Sequence, residues 1–194
     1  MSDRATSVVF FDRDGTLNEL VYRYGHNEYT PPWFIEEVKL KQGVVLALKR
    51  LLDAKFELVV LTNQPDVAKD KASLGQINTV RTHFIALLEQ EGIKLSGYFH
   101  CLHHPKAVVP KLKCSCKCRK PQIGMFCFYE NSVNVDKSRS WMVGDSIADI
   151  QAGNQFGVGT IGLPSMDPNK IIPDTDVSAI VENITQVVDY ILDK

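Results

Sequence analysis

Two carboxylates, Asp12 and Asp14, follow a short apolar run near the start of the chain. The run covers residues 8–11 and does not alternate with polar residues, which predicts a parallel strand buried on both faces. Gly15 permits a sharp turn directly after the second acid. The two acids therefore fall at the carboxyl end of a strand, where open α/β sheets bind ligands. Because carboxylates this close repel each other, we expect a cation or a positive side chain between them.

Polar side chains also follow two later predicted strands, and a lysine ends a basic loop. Thr62 and Asn63 come directly after the second strand. Asp145 comes directly after the fourth, with Asp149 one helical turn later, and Lys120 ends the loop. Carboxylates, a hydroxyl, an amide and an ammonium group together suit Mg²⁺ bound with a phosphate, and one carboxylate could itself attack phosphorus. Each group alone is more often a turn, a helix cap or a solvated charge, but their order along the chain indicates one site.

Apolar stretches with helical spacing alternate with the predicted strands along the chain. The predicted strands are 7–11, 56–61, 98–100, 141–143, 159–162 and 179–181, and the predicted helices are 43–52, 73–91, 125–131, 147–156 and 184–192. This alternation predicts a Rossmann-like α/β fold, a doubly wound parallel sheet with helices on both faces. Residues 22–34 are rich in tyrosine and contain two consecutive prolines, so we expect an irregular surface loop or a flap beside the acids.

Length and composition predict one globular domain over residues 1–194, because 44 % hydrophobic residues can build a sizeable core. The formal net charge of −1 argues against a general nucleic-acid or membrane-surface binder. Apolar runs all fall short of the ~20 residues that cross a bilayer, and the first run is too short for a signal peptide. We therefore expect a cytoplasmic monomer that binds neither nucleic acid nor membranes.

Four of the five cysteines lie between residues 101 and 118, in a basic loop without convincing periodicity. Such a cluster without an export signal favours a metal site over disulfides. The pairs Cys101/His103 and Cys116/Cys118 fit a tetrahedral Zn²⁺ site that has no open position, which predicts a structural role. Cys114 could replace Cys116, although the place of Cys116 just before Arg-Lys-Pro favours the latter. A group of reactive free thiols is the alternative.

These segments together resemble the four motifs of the haloacid dehalogenase superfamily of phosphohydrolases. The matching residues are Asp12-Arg13-Asp14-Gly15-Thr16, Thr62-Asn63-Gln64, Lys120 and Gly144-Asp145-Ser146-Ile147-Ala148-Asp149. The resemblance implies hydrolysis through an aspartyl phosphate, with Asp12 as nucleophile and Asp14 as general acid and then base. It also implies that Thr62 and Lys120 bind the phosphoryl group, whose equatorial charge must be neutralised during transfer.

A magnesium site is part of the same resemblance. It implies Mg²⁺ held by the Asp12 carboxylate, the Asp14 main-chain carbonyl and Asp145. Asp149 would support the ion from further away or through a water molecule. Loss of Asp149 is therefore expected mainly to weaken metal binding.

The cysteine loop makes the resemblance more specific. Its Cys-x-His and Cys-x-Cys-Arg-Lys-Pro segments are similar to those of the D-glycero-D-manno-heptose 1,7-bisphosphate phosphatases and the histidinol-phosphate phosphatases. Those families have no large cap domain, in agreement with the short insertions here. The resemblance to the heptose enzymes implies that Arg119 contacts the substrate and that the 7-phosphate is removed. The zinc site itself would fix the basic loop and aim Arg119 and Lys120, which follow its last ligand, into the site. We expect Asn63 to bind substrate as well.

The chain departs from the heptose pattern after Gln64. Asp66 and Asp70 stand where glycines are expected, and Lys69 stands in place of an arginine. We expect a glycine-dependent backbone conformation to be lost there, and an acid beside a phosphorylated ligand would repel it.

The sequence therefore leaves three kinds of substrate open. They are a small sugar phosphate, histidinol phosphate and another small phosphomonoester. Among the sugar phosphates, the heptose bisphosphate is the first candidate. A polynucleotide end phosphatase is disfavoured because no extended basic or aromatic groove is evident. The hypothesis of a different class is a non-catalytic, zinc-stabilised binding module. Such a module would not need Asp12 and Asp14 together.

Overall fold

A six-stranded parallel sheet forms the centre of the computed structural model, which describes residues 5–174 and 177–194. The strands are β1 (Val8–Phe11), β2 (Val21–Arg23), β3 (Glu28–Thr30), β4 (Glu57–Asn63), β5 (Gly97–Cys101), β6 (Trp141–Gly144), β7 (Gly159–Gly162) and β8 (Ala179–Ile180). The helices are α1 (Val44–Asp53), α2 (Leu74–Gln90), α3 (Gly124–Glu130), α4 (Ile147–Phe156) and α5 (Ile184–Leu192). The main sheet has the order β5-β4-β1-β6-β7-β8, and β2 and β3 form a separate pair.

β1 lies in the middle of the main sheet, between β4 and β6, and each of its side chains is fully buried. Successive side chains of a strand point to opposite faces. Val9 and Phe11 pack with α1, α2 and α5, whereas Val8 and Phe10 pack with α3 and α4. Burial on both faces requires an unbroken apolar strand, and the predicted doubly wound fold is thereby confirmed.

The predicted helices and main-sheet strands are all present, with ends that differ by up to two residues. One difference matters for the site, since β4 runs to Asn63 and so contains the two polar residues that were expected to follow it. Residues 1–4 and 175–176 of the predicted single domain lie outside the described residues. In the part of the chain that the structure describes, no insertion forms a cap domain, and no helix has the length and apolar character to cross a membrane.

Of the two expectations for residues 22–34, the irregular surface loop is wrong where strands form, whereas the flap beside the acids agrees with Tyr29 and Thr30, which line the same cleft as the acids. β2 and β3 pair there as an antiparallel hairpin, with Tyr22 opposite Tyr29 and their rings 5.0 Å apart. Arg23 forms an ion pair with Glu37 at 2.5 Å, which ties the hairpin to the short turn that follows it. Each strand has only three residues, too few for a period of two to be recognised in the sequence.

Candidate active site

One cleft of about 280 Å³ opens at the carboxyl edge of the main sheet. The predicted site residues that line it are Asp12, Asp14, Thr62, Asn63, Arg119, Lys120 and Asp149. Asp145 is fully buried, and its carboxylate has an oxygen within 4.8 Å of those of Asp12 and Asp149. The hairpin adds Tyr29 and Thr30 to the wall. The strand ends and the basic loop thus meet where the sequence predicts one site.

Three carboxylates form a compact cluster. Asp12, Asp145 and Asp149 each place an oxygen within 4.8 Å of the others, and all three residues are buried. Burial raises the pKa of Asp12 to about 7; the charges of Asp149 and Asp145 act in the same direction, and the Lys120 ammonium opposes them. An arrangement of hard oxygen donors whose charges repel one another is suited to Mg²⁺. Asp149, which was expected to support the ion from further away or through a water molecule, has an oxygen within 4.8 Å of those of Asp12 and Asp145.

Lys120 is the buried cation of the cluster. Its Nζ lies 2.8 Å from Asp12 Oδ1 and 2.6 Å from Asp149 Oδ1, and it also donates to the main-chain oxygen of Leu61. Burial alone would lower the pKa of Lys120, but the two carboxylates outweigh burial and raise it. Asn63 holds this residue through both main-chain groups, because its amide donates to the Lys120 carbonyl and accepts from the Lys120 N–H, each at 3.1 Å.

Asp14 has a different set of partners from Asp12. Arg13 donates to both of its oxygens, with Nε at 3.0 Å and Nη2 at 2.8 Å. Asn18 and Gln64 donate as well, at 3.0 and 2.5 Å. Burial acts to raise the pKa of Asp14, but the Arg13 guanidinium and these hydrogen bonds leave it below its usual value. Asp14 is therefore held as a carboxylate, and donation of a proton would require it to separate from Arg13.

Two glycines allow the strand ends to approach the acids closely. Gly15 has a φ of +91°, and a Cβ there would lie 2.2 Å from Asp145 Oδ2. A Cβ at Gly144 would lie 2.3 Å from the Cβ of Asp149. A larger residue at either position would push a carboxylate out of the cluster.

The basic loop brings together a second group of possible metal ligands. The side chains of Cys101, His103, Cys116 and Cys118 offer ligand atoms that lie within 4.8 Å of one another. The sulfur atoms are 3.1–3.4 Å apart, and His103 Nδ1 is 3.7 Å from Cys101 and 3.5 Å from Cys118. Cys114 is exposed and does not belong to the group. Three sulfurs and an imidazole are the donor set of structural Zn²⁺ sites.

Arg119 directly follows this group and is held by it. Its main-chain N–H donates to Cys116 Sγ at 3.4 Å, and Nη1 donates to the carbonyl of His103 at 3.4 Å. The side chain lines the cleft. The cysteine loop therefore positions both Arg119 and the next residue, Lys120.

The segment after β4 keeps a conformation that was expected to be lost. Asp70 has a φ of +57°, the left-handed conformation that glycine adopts most easily and aspartate can also adopt. The expectation is therefore wrong for Asp70. Asp66 is buried and accepts a hydrogen bond from Trp33 Nε1 at 2.7 Å. Lys71 pairs with Glu28 at 2.5 Å, so two contacts tie this segment to the hairpin region.

Lys170 and Ser165, which contact Asp145, were not among the site residues predicted from the sequence. Lys170 Nζ lies 2.8 and 2.9 Å from the two oxygens of Asp145, and Ser165 Oγ donates to the same carboxylate at 2.8 Å. Both belong to the irregular segment after β7. No motif or periodicity marks them, because an isolated lysine or serine in such a segment is usually solvated.

Comparisons with known proteins agree with this geometry. A family model described as polynucleotide kinase 3 phosphatase matches residues 7–167. The D-glycero-beta-D-manno-heptose-1,7-bisphosphate 7-phosphatase of Escherichia coli O6:H1 is 34% identical over 157 residues, 81% of this chain and 78% of that protein. The D-glycero-alpha-D-manno-heptose-1,7-bisphosphate 7-phosphatase of Photorhabdus laumondii is 32% identical over 175 residues, 88% of this chain and 91% of that protein.

Two solved structures share the fold. The D,D-heptose 1,7-bisphosphate phosphatase from B. bronchiseptica, complexed with magnesium and phosphate, has a TM-score of 0.76 at 24% identity and covers 97% of this chain and 99% of its own. A HAD-like phosphatase from Mesorhizobium loti has a TM-score of 0.78 at 24% identity and covers 100% of this chain and 89% of its own.

Proposed function

Because the chain belongs to the polynucleotide kinase 3 phosphatase family, within the haloacid dehalogenase type of phosphoric monoester hydrolases, we propose that it removes the 7-phosphate of D-glycero-D-manno-heptose 1,7-bisphosphate. The observation that carries this proposal is the cluster of three buried carboxylates at the edge of the sheet, two of which are paired with Lys120. The curated relatives with the same scaffold are named for this reaction at 32–34% identity. The substrate is thus a small phosphorylated sugar.

In the proposed first step, Asp12 attacks the phosphorus atom and the bond from phosphorus to the sugar oxygen breaks. Lys120 contacts Asp12, and we propose that Lys120 and Thr62 bind the phosphoryl oxygens. Asp12, Asp145 and the neighbouring Asp14 carbonyl would hold Mg²⁺, with Asp149 close enough to share it. When bound, that ion supplies positive charge against the phosphoryl oxygens.

Asp14 is the proposed proton carrier. It gives a proton to the leaving sugar oxygen and takes one from the water that then hydrolyses the aspartyl phosphate. The ionised, Arg13-bound state of Asp14 is the form that would accept the proton of that water. Separation from Arg13 would remove the charge that lowers its pKa, and Asp14 could then carry a proton in the first step.

The rim of the cleft supports a substrate with a second anionic group. Lys69 and Arg119 line the cleft together with the phosphoryl-binding residues. Lys71 lines it as well, but its charge is paired with Glu28. The acid that was expected to repel such a ligand, Asp66, is hydrogen-bonded to Trp33. Cations on the rim favour a substrate with a second phosphate over a monophosphate whose remaining part is uncharged.

A panel of phosphate-release assays with Mg²⁺ tests the proposed substrate. It would compare both anomers of heptose 1,7-bisphosphate, heptose 7-phosphate, histidinol phosphate and a 3′-phosphorylated oligonucleotide. The highest kcat/KM is expected for a heptose bisphosphate, and both anomers are included because the relatives are named for both. If neither bisphosphate released phosphate, the proposed substrate would be refuted. A higher kcat/KM for the oligonucleotide would instead indicate that the protein removes phosphate from nucleic-acid ends.

We also propose that the cysteine loop binds structural zinc. Protein purified without chelators should contain about one zinc per chain. Replacing Cys118 by Ser removes one of four ligands, so zinc content should fall to about a tenth or less and activity should drop with it, because the loop carries Lys120. Elemental analysis measures the zinc content, phosphate release measures the activity, and thermal unfolding measures the accompanying loss of stability.

Cys114→Ser is the matched control for this prediction. Cys114 lies in the same loop but is exposed and outside the ligand group, so the variant should keep its zinc and its thermal midpoint. A fully active Cys118→Ser protein without zinc would contradict the proposed site.

Other expectations from the sequence stay proposals: one domain over the whole chain, a monomer, a cytoplasmic location, and no binding of nucleic acid or membranes. Light scattering across a range of protein concentrations tests the monomer, since a constant mass near 21.8 kDa is expected.

A further inference from the structure

We infer that Lys170 is a tethered counter-ion, which holds Asp145 until Mg²⁺ displaces it. The inference rests on the proposed function, because it requires that Asp145 binds the ion. It concerns a residue outside the four sequence motifs. The new element is that the Lys170 ammonium and Mg²⁺ compete for the Asp145 carboxylate.

The first step of the argument is geometric. Lys170 Nζ lies 2.8 Å from one oxygen of Asp145 and 2.9 Å from the other. A metal ion bound to this carboxylate needs at least one of the same oxygens. The ammonium and the ion therefore compete for a single carboxylate, whose side chain is fully buried.

The second step concerns how charge is distributed in the cluster. Lys120 contacts Asp12 and Asp149, and Lys170 contacts Asp145. Without Lys170, the buried charge of Asp145 would face the other two carboxylates, with the hydroxyl of Ser165 still donating to it. An unpaired buried charge is strongly destabilising, so Lys170 stabilises the protein that has no metal bound.

The third step is that Lys170 is able to leave. Its side chain is 29% exposed, and it belongs to the irregular segment after β7 rather than to the sheet. A turn holds its main chain, because the Lys170 N–H donates to the carbonyl of Asp167 at 3.0 Å. The flexible stem can therefore move the ammonium into the cleft that Lys170 already lines.

The stability of the metal-free protein and its affinity for Mg²⁺ are therefore linked. A lysine that stabilises the metal-free state and is displaced on binding lowers the affinity for Mg²⁺, since binding must overcome the ion pair. Lys170→Met keeps most of the stem and removes the charge. We expect this variant to bind Mg²⁺ on the order of 10-fold more tightly and to melt at a lower temperature without Mg²⁺. At saturating Mg²⁺ the midpoints should converge.

The test is calorimetric titration of Mg²⁺ into the protein, together with thermal unfolding with and without the ion. Lys69→Met is the control, because Lys69 lines the same cleft and its loss removes the same net charge. Its Mg²⁺ affinity should change by no more than about 3-fold. Lys170→Arg keeps the charge and should behave like the parent protein.

Equal or weaker Mg²⁺ binding by Lys170→Met would overturn the inference and leave the proposed enzyme intact. An equal gain in Mg²⁺ affinity by Lys69→Met would also overturn the inference, because the gain would then follow from the net charge of the cleft. If neither the parent nor the variants bind Mg²⁺, the proposed metal site fails and the inference fails with it. A Lys170→Met protein that folds only when Mg²⁺ is present supports the inference.

Discussion

Asp12→Asn is expected to lower the rate of phosphate release by about 10⁴-fold or more, because an amide cannot act as the nucleophile that the carboxylate provides. The change keeps the size of the side chain and reduces repulsion within the carboxylate cluster, so the protein should stay folded. Single-turnover assays at saturating substrate and Mg²⁺ measure the chemical step directly.

Asp167→Asn is a suitable control for this variant. Asp167 lines the same cleft but does not belong to the cluster of Asp12, Asp145 and Asp149. Its single-turnover rate should stay within about 10-fold of the parent rate. An Asp12→Asn protein with a near-normal rate would exclude the aspartyl-phosphate route.

Lys120→Met is expected to destabilise the Mg²⁺-free protein by about 3–5 kcal/mol, because removing one partner of a buried ion pair leaves the other charge unpaired. Here two acids, Asp12 and Asp149, lose their cation. Activity should fall to near the background rate, since the phosphoryl group loses a ligand. Urea unfolding at constant pH gives the free energy of unfolding.

Added Mg²⁺ should restore part of the stability lost in Lys120→Met, since an ion that binds only the folded state stabilises it. Lys69→Met is again the control, and its free energy of unfolding should change by about 0.5 kcal/mol or less, as for most surface substitutions. A loss below about 1 kcal/mol in Lys120→Met would contradict the buried ion pairs.

Much of the fold could be predicted because burial leaves a clear pattern. An apolar run such as residues 8–11 has to be covered on both faces, and amphipathic helices alternate with runs of that kind. The positions of Asp12, Thr62 and Asp145 at the carboxyl edge then follow from the direction of parallel strands. The predicted site residues accordingly lie around one cleft.

Other features depend on contacts between distant segments and leave no local pattern. Arg13 is fully buried and paired with Asp14, yet its sequence position alone does not distinguish it from a solvated charge. Lys170 reaches Asp145 from an irregular segment. Asp70 keeps a positive φ without being glycine, and this depends on the turn around it. Tertiary context decides each of these three cases.

The central place of β1 has a consequence for how the protein folds. β1 pairs with β4 on one side and with β6 on the other, and the Val8 N–H donates to Ser140 Oγ across 132 residues of sequence. Pairings this distant make folding slow, since a long loop must close before they form. Asp12 and Asp145 meet only after β6 has joined β1, so a nascent chain that ends before β6 holds only part of its catalytic centre.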